Sequence, residues 1–150
     1  MWRDLRDTAR AMSRENVEIV QRTLEAFEQR GLEATLPFYD PEVTWEEAED
    51  EPDGETYQGH DGLRALAAKW LVPFDDLRIE PEEFIDAGDR VVVLQREYQR
   101  SKSGAELVID TATILDLRDR RIVRIQGYMN PAEALAAAGL SEQDAHADSS

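Results

Sequence analysis

Hydrophobic residues recur along this chain first with a helical period and later with a strand period, and the changes between the two mark its predicted elements. After Ser13, the residues Val17, Val20, Leu24 and Phe27 share one helix face, Met12 and Val17 suit a hydrophobic staple, and Gly31 ends the run. Leu32 to Leu36 predicts a second, short helix stopped at Pro37. The Asp40-Pro41 turn leads into Val43-Thr44-Trp45-Glu46-Glu47, whose alternation predicts a strand. The acidic stretch from Glu46 to Glu55, with Pro52 and Gly54, reads as a loop. Beyond Tyr57 and the turn-like Gly59-His60-Asp61-Gly62, the residues Leu63, Leu66, Ala67, Trp70 and Leu71 return to helical spacing, ending near Pro73.

The pattern then becomes strand-like. Leu77 to Ile85, Arg90 to Arg100, Glu106 to Leu117 and Arg121 to Met129 are separated by stretches of hairpin length, which predicts a meander of antiparallel neighbours. A last helix is punctuated by Asn130 at the N-cap, Pro131 at N1, Glu133 at N3 and Gly139 beyond an Ala-rich body. Helices first and strands later indicate the α+β class. The polar tail from Ser141 to Ser150 predicts disorder. At the other end, Trp2, Leu5, Ala9 and Met12 fall near helical spacing, which suits either a segment packed on the body or a partner, or an unstructured leader.

Composition narrows the classes of function. At 150 residues the chain has the size of one domain with one core. Its 33 acidic against 17 basic residues give a net charge of -16, which repels phosphate backbones and anionic membrane surfaces. Neither nucleic acid nor membrane is therefore an expected partner. With no cysteine there is no disulfide framework or thiolate site, and the two histidines, far apart, argue against a zinc cluster, so neither a metal nor a cofactor is expected. The N-terminus has no continuous apolar core of a signal peptide, and no stretch approaches the roughly 18 apolar residues of a membrane span, which makes the cytoplasm the default location.

Several blocks resemble the NTF2-like superfamily in its SnoaL-like branch, the group that includes ketosteroid isomerase and polyketide cyclases. They are Asn16-Val17-Glu18-Ile19-Val20, continued through Glu25-Ala26-Phe27 and Gly31-Leu32 to Tyr39-Asp40-Pro41-Glu42-Val43-Thr44-Trp45, then Tyr57 to Gly62, Phe84 to Val93, and Ile122-Val123-Arg124-Ile125 leading to Tyr128. The resemblance covers residues 13–140, leaving 1–12 as an N-terminal extension and 141–150 as a tail. It implies a cone, in which a curved antiparallel sheet wraps around the N-terminal helices and leaves a pocket at the wide end. It also implies a small hydrophobic molecule as partner, and a homodimer through the outer sheet face. The function implied is a cofactor-independent isomerase, cyclase or hydratase acting on a hydrophobic carbonyl-bearing or cyclic metabolite. A noncatalytic ligand-binding or dimerising accessory domain is the alternative, since a fold does not supply function.

Matched to the isomerase pattern, Glu47 takes the place of the general-base aspartate. Period-two alternation puts it on the same strand face as Val43 and Trp45, where desolvation would push its pKa upward towards useful base strength. The plainer reading is that Glu47 begins the acidic loop. The departures matter as well. Thr23 stands where the isomerases keep an oxyanion-hole tyrosine, no aspartate takes the second role, and Thr113 stands where the cyclase branch often has an aspartate or histidine.

Arg96 and Asp110 on adjacent strands are the nearest ingredients of an epoxide-hydrolase set, but read more simply as a surface ion pair. With the last hairpin turning at Asp119-Arg120, Leu117 faces Ile122, which would pair Thr113 with Gln126 and Thr111 with Tyr128. Thr113, Gln126 and Tyr128 then form a polar stripe inside the cone, although the other face, with Ile114 and Ile125, is apolar enough to reverse the assignment. Tyr39, Trp45 and Trp70 complete the candidate lining, with plain core as the competing reading for Trp70. His60 reads as part of a turn and helix start, and His146 as solvated.

Overall fold

Gly31 makes the first change of direction. Its φ of 87° is a left-handed conformation that glycine adopts without penalty, and its N–H donates to the Phe27 carbonyl to close helix α1, Leu5–Arg30. The computed structural model describes residues 5–47, 55–71 and 74–140. The acidic residues 48–54, Pro73 and the tail from Ser141 lie outside this description, as do Met1 to Asp4. Helix α1 starts at Leu5, earlier than the Ser13 cap predicts. Ser13 is therefore inside the helix, where its hydroxyl, like the Asn16 amide, reaches the Gly88 carbonyl at 3.4 Å instead of capping the helix's own N–H groups.

A 3-10 helix, Leu32–Phe38, runs straight into β1, Tyr39–Glu46, so Pro37 lies within the turn it was expected to stop. The short β2, Thr56–Gln58, precedes α2, Gly59–Leu71. The long strands follow: β3, Phe74–Asp86; β4, Arg90–Ser101; β5, Glu106–Arg118; and β6, Arg121–Tyr128. Helix α3, Pro131–Ala137, closes the described chain, with the Asn130 side chain accepting from the Ala132 N–H at 2.9 Å as its sequence cap requires.

The six strands form one sheet in the order β2-β1-β6-β5-β4-β3. The β3–β6 meander is antiparallel as predicted, but β1 pairs with β6 in parallel, because the chain crosses the whole sheet between them. The sheet is thus mixed, and the α+β architecture is that of the NTF2-like cone. Its two faces carry separate apolar cores. On the inner face Val43, Val91, Val93, Leu115, Leu117, Ile122 and Ile125 pack with Ile19 and Val20 of α1 and Leu63 of α2. On the outer face Ile85, Val92, Ala112 and Ile114 pack beneath Ala134 and Leu135 of α3.

The β5–β6 register shifts between Asp116 and Leu117: Leu117 faces Ile122, but Asp116 already faces Arg124, leaving Val123 as an extra residue. This bulge lets Ile122 and Ile125, three positions apart, both point inward, and each is fully buried.

Candidate functional site

Where the inner core stops, a cavity begins. In β4 the inward residues change from Val91 and Val93 to Gln95, Glu97 and Gln99, and between this stretch and α1 lies a cavity of about 320 Å³. That is at the lower end of the roughly 300–1,000 Å³ of small-molecule sites. Its walls are mainly apolar: Val20 and Leu24 of α1, Leu77 and Ile79 of β3, Ile109 and Leu115 of β5, and Ile125 of β6. Leu107 and Met129, both lining residues, are exposed and mark its mouth.

Glu47 follows directly on β1 and lines this cavity beside Trp45. Its carboxylate has no solvent-exposed surface and forms an ion pair with the Lys69 ammonium of α2, Oε1 to Nζ at 2.7 Å. The Glu55 N–H donates to the same oxygen at 3.3 Å, and the Glu47 N–H donates to the Glu55 carbonyl. Lys69 also lies 5.8 Å from the centre of the Tyr57 ring. The hydrogen bond to Glu47 is the main cause holding the Lys69 pKa above the usual lysine range. The desolvation expected to make Glu47 a stronger base is therefore opposed by a nearby cation that favours its charged form.

A second carboxylate, which the sequence reading missed, sits on the β4 wall. Glu97 Oε1 accepts from the Thr111 hydroxyl at 3.1 Å and the Gln95 amide at 3.4 Å, and Oε2 accepts from the Gln99 amide at 3.0 Å. The Gln95 amide also reaches the Thr111 hydroxyl at 3.2 Å, so the four side chains form one network. Thr111 faces Gln95 across the β4–β5 pair, which is why their side chains share the inner face.

The other predicted site residues divide. Tyr39, Trp45 and Thr113 line the cavity. Burial raises the Tyr39 phenol pKa above its normal range, so its hydroxyl stays neutral. Thr23 also lines the cavity, but its hydroxyl donates to the Ile19 carbonyl at 2.7 Å, which leaves it an acceptor there rather than the donor an oxyanion needs. The side chain of Trp70 lies outside the described residues.

The expected stripe of Thr113, Gln126 and Tyr128 does not form, because the bulge at Val123 moves every later β6 residue by one. Thr113 faces Gly127, Ile114 faces Gln126, and Ala112 faces Tyr128. Gln126 consequently points outward and donates to Glu46 Oε2 at 3.1 Å, alongside Arg124. Tyr128 borders the cavity while packing against the outer core. Ile125, expected on the same face as Ile114, lies on the opposite one.

Arg96 and Asp110 form the surface ion pair read from the sequence, at 3.0 Å and away from the cavity lining. His60 Nε2 donates to the Tyr39 carbonyl at 3.2 Å, tying α2 to β1. Among the described residues no group of three histidine, aspartate or glutamate side chains is arranged to hold a metal ion. No helix among them is long and apolar enough to cross a membrane.

Comparison with known proteins agrees with this architecture. An NTF2-like protein from Burkholderia xenovorans LB400 shares 28% identity, over 83% of this chain and 95% of its own, with a TM-score of 0.66. TerC, co-crystallised with polyporic acid, shares 26% identity over 83% of this chain and 98% of its own, with a TM-score of 0.70. A putative SnoaL-like polyketide cyclase from Jannaschia sp. CCS1 has the same fold at 18% identity, covering 83% of this chain and 91% of its own, with a TM-score of 0.68. No curated protein matches the chain in sequence. The family model of the SnoaL-like domain matches residues 20–125, most of the chain, and with the cone and its inner cavity this establishes that the chain belongs to the SnoaL-like domain family.

Proposed function

We propose that this SnoaL-like domain is a cofactor-independent acid–base enzyme, an isomerase, cyclase or hydratase, acting on a hydrophobic carbonyl-bearing or cyclic metabolite with Glu47 as the pocket base. The observation that carries this reading is Glu47 itself, a carboxylate with no exposed surface lining a mainly apolar cavity of about 320 Å³. A carboxylate there can remove a proton alpha to a carbonyl, and the Lys69 contact fixes its position against the strand. Tyr39 and Trp45 supply aromatic lining, and the Thr113 hydroxyl can orient a substrate oxygen. Co-crystallisation of TerC with polyporic acid is in keeping with a small organic ligand in this fold.

The test is a turnover screen with small enones and polyketide-like ketones, comparing the native protein with Glu47→Gln. Loss of a general base lowers turnover by roughly 10²- to 10⁴-fold. Equal rates would remove Glu47 from the mechanism. The second reading, a noncatalytic ligand-binding domain, is favoured by two observations: Lys69 already neutralises Glu47, and the Thr23 hydroxyl is occupied by the helix backbone. It predicts that ligands bind without being converted. A homodimer through the outer sheet face, where Val108 is exposed, belongs to either reading, and light scattering on the purified protein checks it.

A further inference from the structure

We infer that the β4 wall of the cavity is an ammonium-binding subsite, in which the Glu97 carboxylate is the counter-ion for an apolar molecule carrying a protonated amine. This rests on the reading of the cavity as a small-molecule pocket and names the class of molecule it takes.

Three neutral donors, the amides of Gln95 and Gln99 and the hydroxyl of Thr111, hold the carboxylate in one orientation. A carboxylate accepts about four hydrogen bonds, so the described residues leave one acceptor position for a ligand. Among the described residues no lysine or arginine forms an ion pair with Glu97, in contrast with Glu47 and its Lys69. Its charge is held in place without being neutralised.

The surroundings make that charge selective. Ile79 of β3 and Ile109 of β5 stand directly opposite Glu97 across the sheet, with Leu77 and Leu107 opposite Gln99, and all four side chains line the cavity. Glu97 is half-buried, so water reaches it whenever no ligand fills the cavity. A ligand that fills the cavity displaces that water. A neutral or anionic ligand would leave the carboxylate with neutral donors only in an apolar surround, whereas a cationic nitrogen on an apolar frame replaces the water and compensates the charge. The net charge of -16 further enriches cations around the molecule.

Calorimetric titration of the full chain with cyclohexylmethylamine and its neutral counterpart cyclohexylmethanol, on the native protein and on Glu97→Gln, tests the subsite. The native protein should bind the amine at least about tenfold more tightly than the alcohol, the scale of a charge-assisted hydrogen bond. Glu97→Gln should bring the two to similar affinities by weakening only the amine. If that variant folds poorly, the amine-to-alcohol ratio on the native protein decides alone.

Equal affinities on the native protein, or a preference for the amine that survives in Glu97→Gln, would overturn the subsite. Binding of the alcohol without the amine would overturn it while leaving the small-molecule pocket standing. Binding of neither would count against both.

Discussion

Glu47 and Glu97 line the same cavity from two different strands, and their surroundings are opposite in kind. Glu47 is withdrawn from water and meets an ammonium at 2.7 Å, so the protein itself compensates its charge. Glu97 is half-buried, and among the described residues its carboxylate is hydrogen-bonded by amides and a hydroxyl and by no cation, so its charge is oriented and left for whatever enters. Polar groups in an apolar cavity are costly unless satisfied, and there are two ways to satisfy a carboxylate: a built-in cation, or donors that fix it for an incoming one. On the proposed reading this assigns chemistry to Glu47 and recognition to Glu97.

The largest expected effect that sharpens this contrast is kinetic. On a substrate found by the turnover screen, Glu47→Gln should lower kcat by roughly 10²- to 10⁴-fold. Glu97→Gln should instead raise KM about tenfold or more for an amine-bearing substrate with kcat close to native, since it removes binding that substrate and transition state share. Loss of kcat in Glu97→Gln would break the division of roles.

Next is the partner of Glu47. Lys69→Met removes the compensating cation from a carboxylate that has no exposed surface, and should lower the melting temperature by several degrees at pH 8. At the alkaline end the sign follows from Lys69, whose pKa is raised above 10.5 chiefly by the hydrogen bond to Glu47. A group raised on folding contributes stability that is fully present below its unfolded pKa and lost as the pH climbs through the folded one. The gap between native and Lys69→Met should thus hold from neutral pH to about 10.5 and close above it. Thermal melts from neutral to alkaline pH read this change, and a pH-independent gap would show that the pair carries no charge coupling.

The smallest effect is expected at Gln126, which the bulge turns to the outer face. Gln126→Ala should leave ligand affinity unchanged and alter stability by no more than about 0.5 kcal/mol, since Arg124 continues to hold Glu46. A clear loss of ligand binding would place Gln126 in the cavity after all.

Much of the fold was legible because its signals were local. Gly31, the Asn130-Pro131 cap and the alternation of β4 to β6 each follow from one stretch of chain. The parallel pairing of β1 with β6 was not, because it joins segments some 80 positions apart that no local pattern links. The bulge left a trace that a strict count of two passes over: Ile122 and Ile125 are both fully buried at a spacing of three, which a continuous strand cannot achieve on one face.

The inward position of Glu47 was legible through Trp45 and the strand alternation, while its Lys69 partner depends on how α2 packs. Glu97 was hidden because residues 95–100, Gln-Arg-Glu-Tyr-Gln-Arg, are polar on both faces, so period two gives no reason to choose one. Only pairing with β5, which sets Thr111 opposite Gln95, brings the network together.

The most direct test of the contrast sets the two carboxylates side by side with one probe. Cyclohexylmethylamine titrated into Glu47→Gln and Glu97→Gln should bind the first with near-native affinity and the second at least about tenfold more weakly. The reverse order, with the amine lost in Glu47→Gln and kept in Glu97→Gln, would contradict the account.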